Sequence, residues 1–148
     1  MHYKTVLTFA FAISLSTVSA QAPVIQWQRT FGGSENDIAT CVASTPDGGS
    51  IVAGQPSSVD GDITSYLGSG DFWIVKLDAT GAREWQKTYG GSSDEEPTAI
   101  AVATDGGYIV AGYTRSTNGD ITNNHGDYDC WVVKLDASGA LQWQKTLG

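Results

Sequence analysis

A single period governs this chain. Trp27-Gln28-Arg29-Thr30-Phe31-Gly32-Gly33-Ser34 returns as Trp85-Gln86-Lys87-Thr88-Tyr89-Gly90-Gly91-Ser92, and Trp143-Gln144-Lys145-Thr146-Leu147-Gly148 begins it again, each time 58 residues on. The correspondence holds between these strings too: Asp47-Gly48-Gly49 maps to Asp105-Gly106-Gly107, Gly61-Asp62-Ile63-Thr64 to Gly119-Asp120-Ile121-Thr122, and Trp73 to Trp131. Units therefore run approximately over 27–84 and 85–142, and a third opens at 143. A repeat this short cannot bury its own apolar surface, so its copies must stack.

The spacing inside the second unit predicts four short strands: Thr98 to Ala103, Tyr108 to Thr114, Asp129 to Asp136, and Leu141 to Leu147. Thr104-Asp105-Gly106-Gly107 and Asp136-Ala137-Ser138-Gly139 supply tight-turn chemistry between them. Arg115 to Tyr128, long and polar with Asn118-Gly119 and His125-Gly126 pairs, reads as a surface loop. In the first unit Trp73, Val75 and Leu77 alternate with Phe72 and Ile74, so both faces of that strand call for cover. The small residues Ala99 to Ala103 suit a crowded inner strand, and the largely polar Gln142 to Thr146 suits an outer edge. The chain's 18 Gly, 5 Trp and 6 Tyr fit an all-β class of turns and flat side chains. The profile is that of propeller blades: two full four-stranded antiparallel units plus an extra outer strand from Val24 to Phe31, an incomplete propeller.

Ahead of the repeats, Met1-His2-Tyr3-Lys4, an apolar run from Val6 to Leu15, and Val18-Ser19-Ala20 follow the three-part plan of a secretory signal. Cleavage is predicted after Ala20, with Ala22 as the fallback. That leaves residues 21–148 as the repeat domain of an exported product. The apolar run falls short of a spanning helix and no later stretch approaches one. The net charge of −8 carries no basic footprint for nucleic acid.

The string Asp127 to Gly148, DYDCWVVKLDASGALQWQKTLG, with DGGYIVAGYT ahead of it, resembles the repeat of secreted bacterial β-propeller proteins, in which such units often precede a type IX secretion sorting domain. The resemblance implies a secreted or cell-surface protein serving binding, adhesion or scaffolding. Two full units are fewer than a closed ring needs, so either the chain is a fragment or further blades or self-association complete it.

Each candidate site also has a plainer role. Asp60, Asp62 and Asp71 in the first unit and Asp120, Asp127 and Asp129 in the second, with Asn118, Asn123 and Asn124 nearby, could offer oxygen ligands to calcium. The spacing matches no EF-hand loop, and Asp and Asn serve turns for backbone reasons alone. His125, without a Cys or second His beside it, reads as a solvated loop residue. Cys41 and Cys130 sit at non-equivalent repeat positions, open to a disulfide or to buried free thiols. Lys76 and Lys134 interrupt apolar strands and call for a carboxylate such as Asp78 or Asp136 or one on the next unit. Trp27, Trp85 and Trp143 suit packing between units better than a sugar-stacking row.

No set of residues reads as catalytic or cofactor-binding, and calcium on the Asp-rich loops is the one metal candidate, so the expected function is non-enzymatic: a partner-binding surface module for a protein or glycan. The alternative is a fragment of a propeller enzyme. Thr45-Pro46-Asp47-Gly48-Gly49 partly resembles the Asp box of sialidases, and Leu77-Asp78-Ala79-Thr80-Gly81 with Trp85 resembles a quinoprotein tryptophan-docking motif. Only Arg29, Arg83 and Arg115 are available to a sialic carboxylate.

Overall fold

The computed structural model describes residues 22–148; the expected signal and the cleavage after Ala20 lie outside the described residues. Eight strands follow in chain order: β1 (Asp37–Ser44), β2 (Ser50–Pro56), β3 (Phe72–Leu77), β4 (Arg83–Tyr89), β5 (Glu95–Val102), β6 (Tyr108–Thr114), β7 (Asp129–Leu135) and β8 (Leu141–Leu147). They form two four-stranded antiparallel sheets, ordered β1-β2-β3-β4 and β5-β6-β7-β8. The period is carried into the register: Val52 pairs with Val75 across β2 and β3, and their counterparts Val110 and Val133 pair across β6 and β7. The fold is therefore all-β, with one antiparallel meander per repeat. Among the described residues no helix is long and apolar enough to cross a membrane.

Two expected strands change their bounds: β7 ends at Leu135 rather than Asp136, and β5 changes more. The strand expected at Thr98–Ala103 instead begins at Glu95 and runs through Pro97. Pro lacks an N–H for the ladder, but here it stands at an edge strand where the register slips between Pro97 and Ala99, the kind of bulge that tolerates it. The first unit has the same slip between Ala39 and Cys41 without a Pro, so the irregularity belongs to the repeat.

Between the sheets lies one core. Phe72, Ile74, Ile51, Ala53 and Tyr89 of the first sheet meet Trp131, Val133, Val110 and Leu135 of the second. Phe72 and Trp131, both fully buried, stack at 4.6 Å with planes tilted by 49°. The other face of the first sheet holds a smaller cluster of Ile63, Trp73, Val75 and Leu77, with Phe31 and Val52 packed against it. All six residues of β3 are buried, as its two apolar faces require.

Phe31 belongs to the segment expected as an extra outer strand. Trp27 of this segment covers the turn at Gly81 as Trp85 covers the equivalent turn at Gly139. Val24 to Phe31 thus lies where an outer strand of a preceding unit would lie, but it forms no strand. Pairing needs a third strand beside it, and the described residues supply none.

Candidate functional site

The two most faithfully repeated strings lock together. The Gly90-Gly91-Ser92 linker between units is held by the middle loop of the second: Asp120 Oδ2 accepts from the Gly90 N–H at 3.1 Å and Asn118 Oδ1 from the Ser92 N–H at 2.9 Å. In the first unit Asp62 and Asp60 do the same for Gly32 and Ser34. An acid at the head of each first strand completes the clasp. Asp37 accepts from the Gly33 N–H and the Ser58 hydroxyl, at 2.8 and 2.7 Å. Burial works upward on Asp37, but the bonds from Ser58, Gly33 and Ser57 outweigh it and hold its carboxyl below the usual range.

These acids are thus occupied with backbone amides. Asp71 accepts from Leu67 and Asp129 from His125. Among the described residues no group of three or more His, Cys, Asp or Glu side chains is placed to hold a metal ion. The calcium reading of Asp60, Asp62, Asp71, Asp120, Asp127 and Asp129 gains nothing from the geometry: Asp60, Asp62 and Asp120 are turned to linker amides, Asp71 and Asp129 to amides of their own loops, and Asp127 to Arg115.

Lys76 and Lys134 are buried and ion-paired, with different partners from those expected. Lys76 Nζ lies 2.8 Å from both Asp47 and Glu84, and Lys134 Nζ 2.8 Å from Asp105. Burial works against the Lys76 charge, but the two carboxylates raise its pKa above the ordinary value. Asp78 and Asp136 instead tie their own turns, bonding Thr80 and Ala82 or Ser138 and Ala140. Asp78 and Asp136 lie beyond the strand ends and are held by the amides of the following turns, whereas the β1–β2 and β5–β6 turns bring Asp47 and Asp105 to the amines. Asp47 also accepts from the Thr45 hydroxyl and the Gly49 N–H, which makes the Asp-box-like string a self-satisfied turn.

Trp85 meets Tyr108 edge-on at 5.8 Å, so the repeated Trp packs between units here, while Trp143 remains half exposed. Cys41 and Cys130 are free; Cys41 packs beside the inter-unit core, but Cys130 is exposed rather than buried. Cys130 is the counterpart of Phe72, whose face lies under the second unit; the matching face of the second unit is uncovered in the structure. His125 is exposed, its Nδ1 3.5 Å from Asp129.

What the repeat does not share is more telling. Gln55, Ser57, Ser69 and Gly70 of the first unit are replaced by Tyr113, Arg115, Asp127 and Tyr128 in the second, and these four residues converge. Tyr113 and Tyr128 pack edge to face at 5.0 Å, and the Arg115 guanidinium lies 4.9 Å from the Tyr128 ring centre. Arg115 also reaches Asp127 at 3.5 Å and Asp94 at 3.9 Å. The Tyr113 hydroxyl donates to Glu96, a bond that, with burial, pushes its pKa up to about 12 and keeps it neutral. Tyr128 remains 55% exposed. The result is an open aromatic surface framed by one guanidinium and three carboxylates, able to stack a flat or ring-shaped group and to bond its polar edge. Residue-by-residue comparison of the two units contains the signal for this patch; turn chemistry within the Arg115–Tyr128 loop does not.

A second concavity, about 380 Å³, opens between the N-terminal segment and the first sheet and is lined by Trp27, Phe31, Val52, Trp73, Val75 and Leu77. Its floor is the face that, in the second unit, is covered by the first. The three arginines do not gather: Arg83 pairs with Asp62, Arg115 stands in the patch, and Arg29 bonds the Gln28 carbonyl. Compared with known proteins, the chain matches no family model, and no curated protein matches it significantly.

Proposed function

We propose that this chain is a secreted, non-enzymatic propeller-type repeat module that binds a protein or glycan at a bacterial cell surface, and that the Tyr113–Arg115–Tyr128 patch is where it binds. One observation carries the reading. In a chain whose repeated residues hold turns, clasps and core, four of the residues that break the repeat assemble into a single exposed aromatic and charged surface. Tyr on a supported ring gives contact area at little entropic cost, and Arg adds a directional bond to a carboxylate or hydroxyl.

The test is a glycan array and surface-binding assay with the full chain, Tyr128→Ala and Arg115→Ala. Because Tyr128 is half exposed, its removal should leave the melting temperature within about 2 °C while reducing binding at least about tenfold. Unchanged binding by both variants would remove the patch from consideration. Gln55, which Tyr113 replaces, bonds the Glu95 carbonyl of the neighbouring unit, so a further repeat unit is the rival occupant. Self-association abolished by Tyr128→Ala would assign the patch to unit stacking. Hydrolysis of a sialoside, or quinone-dependent dye reduction, would favour an enzyme instead.

A further inference from the structure

We propose that Asp71 and Glu95 share one proton across the junction of the two units, so that the grip of one unit on the next loosens as the medium turns from acid to neutral. Asp71 stands just before β3 of the first unit and Glu95 begins β5 of the second; both are fully buried. Both crowd Gly90, where an added Cβ would lie 2.0 Å from Asp71 Oδ1 and 2.7 Å from Glu95 Oε2. The two oxygens, one from each unit, therefore press on the same backbone atom.

Their remaining bonds say which carboxyl carries it. Glu95 acts as an acceptor throughout: from the Gly91 N–H at 2.8 Å, the Thr114 hydroxyl at 2.6 Å and the Ser116 N–H at 3.2 Å. Asp71 Oδ2 accepts from the Leu67 N–H at 2.8 Å, but Oδ1 is buried with no partner. A buried polar atom without a bond is costly. A proton on Oδ1, donated to Glu95 Oε2, removes that cost and the repulsion between two buried charges.

Among the described residues no cation lies close enough to compensate. The titratable groups around Asp71 are Glu95 and Asp120 of the second unit and Tyr66 of its own loop, with Asp94 close behind Tyr66. Burial chiefly, then Glu95 and Asp120, push the Asp71 carboxyl up to about 6 against its ordinary 3.8. The sign follows. The folded chain holds this proton more tightly than the unfolded chain, so the contribution is complete below about pH 4 and is lost as the pH rises through about 6. The full difference is on the order of a hundredfold in the unfolding equilibrium constant.

Asp71→Asn tests this, because an amide can accept from Leu67 and donate to Glu95 at every pH. Denaturant melts of the full chain are compared from pH 4.5 to 8. The variant should exceed the parent by a margin that widens from pH 4.5 to about 6 and levels off above that near the hundredfold limit. A pH-independent difference, or a variant weaker than the parent at pH 8, overturns the proposal. Should Asp71→Asn not fold, Glu95→Gln must flatten the parent's decline between pH 4.5 and 7, and an unaltered decline is equally fatal. Calcium chloride that stabilises the parent at pH 8 but not Asp71→Asn would show a cation in place of the proton.

Discussion

Two glycines separate the cost of a backbone conformation from the cost of a packing contact. Gly106 and Gly139 close equivalent hairpins on the second unit with nearly the same left-handed φ, +82° and +81°. A Cβ on Gly106 would meet nothing within 4 Å, whereas one on Gly139 would lie 2.8 Å from Trp85 Cζ3 and 3.0 Å from its Cε3. Gly106→Ala therefore costs only the left-handed backbone, about 1–2 kcal/mol. Gly139→Ala costs the same and must also push the Trp85 ring off its edge contact with Tyr108 beside the inter-unit core, a further 1–3 kcal/mol or so. Urea melts at pH 7 should give Gly139→Ala the lower midpoint at an unchanged slope. In a Trp85→Ala background the excess should vanish, leaving the two substitutions equal. Equal costs in the parent, or an excess that survives removal of Trp85, would refute the claim that this Trp packs between units through the turn. Gly81→Ala extends the series: its φ is +78° and its Cβ would lie 2.5 Å from Trp27. Trp27 is 38% exposed on a segment without a ladder, so it can yield, and the cost should fall between the other two.

Phe72→Ala, which empties the ring facing Trp131, should cost about 3–5 kcal/mol in a chemical melt, among the largest single truncations in the chain. Asp37→Asn should cost about 1–2 kcal/mol at pH 7. Because the folded carboxyl is held below its ordinary value, that loss should shrink as acid protonates it, the variant and parent converging as the pH falls through the depressed folded pKa. Glu84→Gln gives the first unit the side chain that the second carries as Gln142; it removes one of two carboxylates from Lys76 and should cost under about 1 kcal/mol, less still in high salt. A thiol reagent should modify exposed Cys130 well before Cys41, whose thiol burial pushes up in pKa; equal rates would contradict the placement of Cys41 beside the core.

Much of the fold was legible because β-structure announces itself by period. The boundaries of β6 and β8 match the expected Tyr108–Thr114 and Leu141–Leu147, and Trp73 and Phe72 on opposite faces foretold burial of β3 on both sides. Pro97 concealed the start of β5, since a bulge that tolerates Pro depends on the neighbouring strand. That the lysines need acid partners is legible in the sequence, but which acids meet them is not, because the curl of a turn over a strand has no trace in linear spacing.

By itself, then, the sequence determined an all-β chain of 58-residue units, the number of strands in each, and which positions are shared between copies. Tertiary structure alone decided that Asp71 and Glu95, 24 positions apart and in different units, bury their oxygens against the same glycine. It likewise decided that Tyr113, Arg115 and Tyr128 meet on one surface. The physical reason is common to both: a period fixes local geometry through backbone hydrogen bonds, but the docking of one sheet on another is set by side-chain shape and charge across residues that no local pattern links.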